Sequence, residues 1–540
     1  MPVQRGVLEV LVQVGRIVEE STPETFVFVT SKDVYPAKYE YVLVRSREVV
    51  DGREREVDVL CQVVGVVSRS SAYTSKLDLE SLERIHQAGI DDANLLCVAR
   101  SLGFLVEEDG RRVVLMPRRA FFPGNPVYLA PDEFVEEFFS YPPEEGIRIG
   151  DLVSRASVGV HLSVNGFRRH VAVIAQTGAG KSYTVGVILE ELLRLGATAV
   201  VIDPHADYVF LSRDAEMRRH EYSDRVLVFR NPNSTGRYDP GQLDNVHELT
   251  VRFSDLTPED VFRVAGISEK WTNIRRAVRA AVDNLRRSSA SYTLDDLLNE
   301  LQKMMKSSDR KTAVGAEAAY SHLVKLRKLR VFGGVTTSVR DEILRPGHVS
   351  VVDLSGLNDA SQDYIVSWIL EEIYRLRYSG EFRYPVFVVV EEAHRFIPGR
   401  SLNRSTMSAD VIRMIAAEGR KFGVFLILVT QRPSKLDPDA LSQCNSQIIL
   451  RITNPADQKA VAEASERLGA ELMRDLPGLN VGEAIIVGEL TRVPVIVKVR
   501  RRRTREGGAD IDLVEELRKA RGEIGLKTSS GRSDDLFSEV

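Results

Sequence analysis

Two periodicities divide the chain. From about residue 7 to 130, Val-rich runs such as VLEVLVQVGRIV, TFVFVT, YVLVRS and VDVLCQVVGVV are separated by turn or charged stretches. RRVVLMP and NPVYLA follow, and a helical piece from Asp78 to Ala88 interrupts the series. Short strands at this spacing predict an all-β barrel or sandwich. PDEFVEEFFSYPPEEGIRIGDLV, punctuated by Pro142, Pro143 and Gly146, marks a boundary. From His170 the pattern changes. Strand-like runs at His170–Ile174, Ala199–Asp203, Val226–Phe229, Val349–Asp353, Val386–Val390, Val424–Thr430 and Gln447–Ile452 alternate with helical stretches. That alternation predicts a mostly parallel sheet flanked by helices. EAIIVGEL and PVIVKVR predict a closing hairpin around Thr491 and Arg492.

Ahead of the Val349 run, from Leu256 to about Arg340, apolar residues recur at three and four, which predicts an inserted helical bundle. Thr257, Pro258 and the acids after them read as a helix start. The expected organisation is a barrel over 1–140, an α/β domain over 141–255 and 346–500, a bundle inserted at 256–345, and a C-terminal extension over 501–540. In that extension DIDLVEELRKA reads as a helix, and the last dozen residues read as disordered.

Composition adds exclusions. The 540 residues are 43% hydrophobic and 28% charged, as expected of a soluble chain with a large core. No apolar run reaches membrane-spanning length, and the N-terminus lacks the marks of a signal peptide. Cys61, Cys97 and Cys444 lie too far apart for a zinc pattern or a disulfide framework, so a reducing, cytoplasmic setting is expected. A net charge of −4 says little about nucleic acid, because a basic channel can hide inside a neutral total. The arginines Arg275, Arg276, Arg279, Arg286 and Arg287 read most simply as solvated faces, with a subunit or DNA contact as the alternative. The run from Arg500 reads as a nucleic-acid contact or, equally, as a solvated terminal run.

Chemistry concentrates at HVAVIAQTGAGKSYTVGVILEELL, a strand, a Gly-containing loop and a helix in P-loop order. Gln176, Thr177, Gly178, Ala179, Gly180, Lys181, Ser182 and Tyr183 form the expected nucleotide cradle. Gly178 and Gly180 permit the curl that turns backbone N–H groups towards phosphate. Lys181 reaches phosphate, Ser182 binds Mg²⁺, and the helix start faces the anion. Ala175 stands where the pattern has its first glycine, and backbone strain is the expected consequence.

FVVVEEAHRF, Phe387 to Phe396, has the form of a Walker B strand. Glu391 is assigned to the Mg²⁺ shell and Glu392 to the attacking water. Asp203 of VIDPHADY ends another strand and is a candidate Mg²⁺ contact; a helix-capping Asp before Pro204 is the alternative. Gln431, after Thr430 in FLILVTQRPS, is placed to sense the γ-phosphate. Arg420 in AAEGRKFGV is the first candidate for an arginine supplied to a neighbouring subunit, with Arg413 in reserve and Arg169 as a second candidate. Loops after the catalytic strands carry the candidate DNA contacts Arg400, Arg404, Arg432 and Lys435. An NKxD guanine reader and the HRD and DFG kinase motifs are missing from the sequence.

In this order QTGAGKS, DPHADY, VVVEEAHRF, AAEGRKFGV, LVTQRPS and NSQIILRITNPAD resemble the HerA/FtsK superfamily of DNA-translocating ATPases, and within it the archaeal HerA family. Ala175 is one departure; DPHADY, where the family more often has Gly and Glu after the His, is another. The resemblance implies a RecA-like fold, ATP and Mg²⁺ as cofactors, a homo-hexameric ring and double-stranded DNA in the pore. It further implies end resection for recombinational repair, with a NurA-type nuclease docked on the barrel and a C-terminal segment bracing the next subunit. Two other readings stay open: a peripheral secretion or conjugation ATPase, and a nucleotide-gated scaffold for a nuclease.

Overall fold

The computed structural model describes residues 11–90, 92–236, 238–399, 406–465, 467–507 and 513–523. Its N-terminal strands are β1 (Gln13–Val18), β2 (Thr25–Thr30), β3 (Tyr41–Val50), β4 (Arg53–Arg69), β5 (Asn94–Glu108), β6 (Arg111–Leu115) and β7 (Pro126–Leu129). The order β2-β1-β7-β3-β4-β5 closes because β2 also pairs with β5, from Thr25 opposite Arg100 to Thr30 opposite Leu95. A closed six-stranded barrel results, with β6 paired outside it to β5 and helix α1 (Leu79–Gln87) between β4 and β5. Inward residues of alternating strands fill it: Phe26, Phe28, Val42, Val44, Val59 and Cys61 are almost fully buried. The three cysteines are free and buried.

Helix α2 (Asp132–Phe139) leads into β8 (Gly146–Leu152), β9 (Gly159–Ser163), β10 (Val171–Ile174), α3 (Lys181–Arg194), β11 (Thr198–Asp203), β12 (Val226–Arg230), β13 (Val246–Glu248) and β14 (Val251–Arg252). Four helices follow: α4 (Pro258–Val264), α5 (Thr272–Ser288), α6 (Leu294–Met305) and α7 (Arg310–Leu323). The chain returns through β15 (Phe332–Gly333), β16 (Val349–Asp353), α8 (Asp359–Tyr378), β17 (Val386–Val390), α9 (Met407–Phe422), β18 (Val424–Thr430) and α10 (Pro438–Gln443). It ends with β19 (Ser446–Leu450), α11 (Pro455–Ala464), α12 (Ala470–Asp475), β20 (Glu483–Val487), β21 (Val495–Val499) and α13 (Leu513–Glu523). The central sheet has 12 strands in the order β13-β12-β16-β11-β17-β18-β10-β19-β20-β21-β8-β9. It is parallel from β13 to β19 and antiparallel beyond. The β-branched runs read from the sequence account for its parallel strands other than the edge strand β13, which was not read and is largely exposed; the others are covered on both faces.

One sheet face shares a continuous apolar core with the inserted helices, through Leu256, Val278, Leu297 and Ala319 on the insertion and Ile365 and Phe396 beyond it. β14 and β15 pair in parallel, joining the insertion's entry to its exit. Thr257 caps α4 with its hydroxyl while Asp260 returns the bond, a capping box. The opposite sheet face packs on α3 and reaches the barrel residues Tyr41, Leu43 and Leu60. Ion pairs of Arg155 with Glu40 and Asp132, and of Lys38 with Asp475, tie the barrel down.

The arginines of α5 lie on a largely exposed face, as expected, with Arg275 half-buried; Arg275 and Arg279 lie over the Phe262 ring, and Arg286 donates to the Leu256 carbonyl. One expectation changes: the start of the basic run is not free. Arg500 bonds Glu190 and Glu191 on α3, and Arg502 is buried. Among the described residues, no helix is long and apolar enough to cross a membrane.

Candidate functional site

The site forms at the carboxyl ends of β10, β18 and β17, which lie side by side. The loop after β10 curls with Gly178 at φ 75° and Gly180 at φ 100°, and α3 begins at Lys181. Ala175 is not among the residues with positive φ. Its methyl is buried and its N–H joins the Thr430 carbonyl, so the expected strain is absent. Gln176 is tied sideways: its side-chain oxygen accepts from the N–H and hydroxyl of Thr453 at the end of the neighbouring strand.

Lys181 Nζ lies 2.6 Å from both Glu391 Oε1 and Glu392 Oε1, with the lysine 6% exposed. Burial works to discharge this lysine, but the two glutamates outweigh it and hold it more basic than usual. Burial pushes Glu391 up to about 7 despite Lys181. Glu392 has left-handed backbone, φ 50° and ψ 45°, uncommon for a residue with a Cβ. That turn of the chain brings both carboxyls to one lysine, where a regular strand would send them to opposite faces. Gln431 closes the circuit. Its Nε2 donates to Glu392 Oε1 at 2.7 Å, and its Oε1 accepts from the Thr177 hydroxyl at 2.6 Å. Glu392 Oε2 lies 3.2 Å from His394 Nδ1, which also meets the Thr430 hydroxyl at 3.1 Å.

Asp203 is a correction. Its carboxylate accepts the N–H groups of His205, Asp207 and Tyr208, the turn-capping arrangement. Burial and then the Asp207 charge push it well above the usual carboxylate range. The acid that meets the P-loop serine is Asp207, with Oδ2 2.7 Å from Ser182 Oγ. Sequence reading missed it. The signal available was its place in DPHADY, where the family more often has Glu. Tyr183 also turns elsewhere, its hydroxyl accepting the Arg502 N–H at 2.5 Å.

A Mg²⁺ ion fits this donor set. Glu391 Oε2 is buried with no hydrogen-bond partner among the described residues, and Ser182 Oγ sits 3.5 Å from the other oxygen of the same carboxyl. Hard oxygen donors of this kind suit Mg²⁺. Lys181 is held where a phosphate would compete with the carboxylates for it.

Of the arginines, Arg420 is exposed and makes no side-chain hydrogen bond or ion pair among the described residues. Arg169 is half-exposed and pairs with Glu489 at 3.2 Å. Arg413 pairs within its own chain with Asp410 and Asp437. Arg432 and Lys435 are exposed, and their loop runs beside Ile397–Gly399 through the Gly399 N–H to Lys435 carbonyl bond and the Pro398–Leu436 bridge. Arg400 and Arg404 lie outside the described residues.

His170, just before β10, is a structural surprise. Its φ of 56° and ψ of 156° fall in a region that side chains rarely adopt. The ring is buried, and Nδ1 accepts the Leu426 N–H at 2.9 Å, extending the sheet ladder by one bond. Burial lowers its basicity to about 4. A histidine held neutral in the fold contributes stability above its ordinary value near 6.5, and loses it as pH falls towards 4. The stability advantage of the native protein over His170→Asn is therefore expected to shrink by about 3 kcal/mol across that window. Denaturant titrations at pH 7 and pH 4.5 check this; a gap independent of pH would refute it.

Two family models match. One described as "Helicase HerA, central domain" covers residues 147–373, and one described as "Helicase HerA-like C-terminal" covers 331–504. A probable helicase of Methanocaldococcus jannaschii is 31% identical, over 89% of this chain and 90% of its own length. The DNA double-strand break repair helicase HerA of Pyrococcus furiosus is 34% identical over 70% of this chain and 73% of its own. Its namesake in Saccharolobus solfataricus is 32% identical over 78% and 81%. Among solved structures, the plasmid coupling protein TrwB with an ATP analogue has a TM-score of 0.48 and 14% identity, covering 71% of this chain and 95% of that one.

Proposed function

Because the chain belongs to the HerA helicase family and is an ATPase of that family, we propose that it is an ATP-driven translocase of double-stranded DNA. It works as a homo-hexameric ring in end resection for recombinational repair, with a NurA-type nuclease on the barrel. The observation that carries this reading is the circuit from Thr177 through Gln431 and Glu392 to Lys181. It joins the phosphate cradle to the water-activating carboxylate through a residue able to report on the γ-phosphate.

Lys181 pairs with both glutamates. Phosphate oxygens compete for Lys181 and release Glu392 to orient and polarise water. Gln431, bonded to Glu392 and Thr177, follows that exchange and transmits it to β18 and the loop carrying Arg432 and Lys435. Bound Mg²⁺ would neutralise phosphate charge, and Ser182, Glu391 and Asp207 would hold it. Phosphoryl transfer asks mainly for positioning and charge. The missing positive charge on the far side of the γ-phosphate is assigned to Arg420, which faces outward, with Arg169 as the second candidate. Arg432 and Lys435 would meet DNA phosphates, a contact independent of sequence and weakened by salt.

Duplex DNA is expected to raise ATP turnover at low salt, and mass measurement with nucleotide and duplex is expected to give a ring. A monomer under all conditions would overturn the shared site. ATP binding without displacement of a triplex strand would favour the scaffold reading, and membrane co-sedimentation without DNA binding the secretion reading.

A further inference from the structure

The basic run after β21 lies across the P-loop helix and ends at the loop that carries Asp207. Arg500 starts it, with Nη1 2.8 Å from Glu190 and Nη2 3.0 Å from Glu191. Glu190 Oε1 then accepts the N–H groups of Arg503 and Thr504 and the Thr504 hydroxyl, each within 2.9 Å. Arg502 lies flat on α3 where the helix has Gly186; a Cβ there would come within 2.4 Å of its Nε. Beyond it, the Arg505 N–H bonds the Arg213 carbonyl at 2.7 Å, and the Gly507 N–H bonds the Asp207 carbonyl at 3.0 Å. Gly507 approaches so closely that a Cβ would stand 2.1 Å from the Ala206 oxygen. Ala206 itself has φ 63°, unusual for alanine, in a turn that Asp203 caps from within and Gly507 meets from outside.

We propose that residues 500–507 are a positioning strap in cis, which fixes the distance between Ser182 on α3 and Asp207 on its loop and so sets the affinity of the site for Mg²⁺. Both ends of the Ser182–Asp207 contact are gripped by one short segment: α3 through Glu190, Glu191 and Gly186, and the loop through Gly507. Neither grip uses a group that would touch nucleotide. The strap therefore tunes the metal shell without entering it, as partners of metal ligands do elsewhere. This proposal rests on the assignment of Ser182 and Asp207 to the metal.

A fluorescent ADP analogue, titrated into the full-length protein in EDTA and then with rising Mg²⁺, separates nucleotide affinity from metal affinity. Gly507→Ala and Arg502→Ala are expected to leave the EDTA affinity unchanged and to raise the Mg²⁺ midpoint about tenfold. Asp207→Asn is expected to raise it similarly and to make Gly507→Ala silent. Gly507→Ala serves even if Arg502→Ala melts early, because the nearest atoms its Cβ meets belong to Ala206 and Val209. Wild-type midpoints in both strap variants, with the native protein Mg²⁺-dependent, would overturn the strap as a positioning device. An unshifted midpoint in Asp207→Asn would overturn it together with the metal assignment. A native protein that binds no nucleotide would defeat the proposed function itself.

Discussion

Lys181→Ala is expected to lower ATP turnover by about 10²–10³-fold, the scale set by removing one preorganised charge from a phosphoryl-transfer site. The same substitution has a second consequence. Lys181 is the cation between Glu391 and Glu392, both nearly inaccessible to solvent. Removing one partner of such a group leaves buried charge uncompensated, at about 3–5 kcal/mol. The variant should therefore melt well below the native protein at pH 8. The loss should ease under mildly acidic conditions, because Glu391 already holds its proton to about pH 7 with the lysine present. Adding Glu391→Gln should recover most of the melting temperature and none of the turnover. Thermal melts of the single and double variants at pH 6 and pH 8 check this. A Lys181→Ala protein as stable as the native one at pH 8 would show that the lysine is not the counter-ion of the pair.

Glu392→Gln is expected to remove hydrolysis while leaving nucleotide bound, with turnover falling by about 10²–10⁴-fold. The side chain keeps its shape and loses its ability to polarise water. It also loses acceptors. Glu392 Oε1 receives both Lys181 and Gln431, and Oε2 faces His394. An amide has one oxygen for those donors and turns its own N–H groups on the remainder. The link to Gln431 is then disturbed, so DNA stimulation should vanish along with basal turnover. Single-turnover hydrolysis and binding of a fluorescent ATP analogue separate the two effects. Retained DNA-stimulated hydrolysis would move the water-activating role away from Glu392.

The parallel strands were legible because β-branched runs buried on both faces leave a local mark, and Val349–Asp353, Val386–Val390 and Val424–Thr430 match it residue for residue. The barrel was expected from the strand spacing, with a sandwich as the alternative; the closing pair itself was not legible, because β2 and β5 are distant in sequence and their pairing has no local signature. Asp203 stood out as the acid ending a strand. The acid that meets Ser182 lies four residues on, and only the turn built by N–H groups folding back on Asp203 brings it there. The basic run misled for a related reason. Its partners Glu190 and Glu191 sit in a helix whose leucines suggest one buried face, whereas α3 is buried nearly all round. Two acids inside such a helix were the available sign that cations lay against it.

The clasp between β14 and β15 holds the ends of the helical insertion together, Val251 opposite Phe332 and Arg252 opposite Gly333. By connectivity the insertion is an outgrowth that a short turn could replace without rethreading the sheet. By solvation it is nothing of the kind, since its leucines share one apolar core with α8 and the strands beneath. Excision would wet the outer surface of α8, whose Ile365, Ile369 and Leu376 are now sheltered. A shortened chain would thus keep its topology and lose its solubility, unless that surface were redesigned along with the cut.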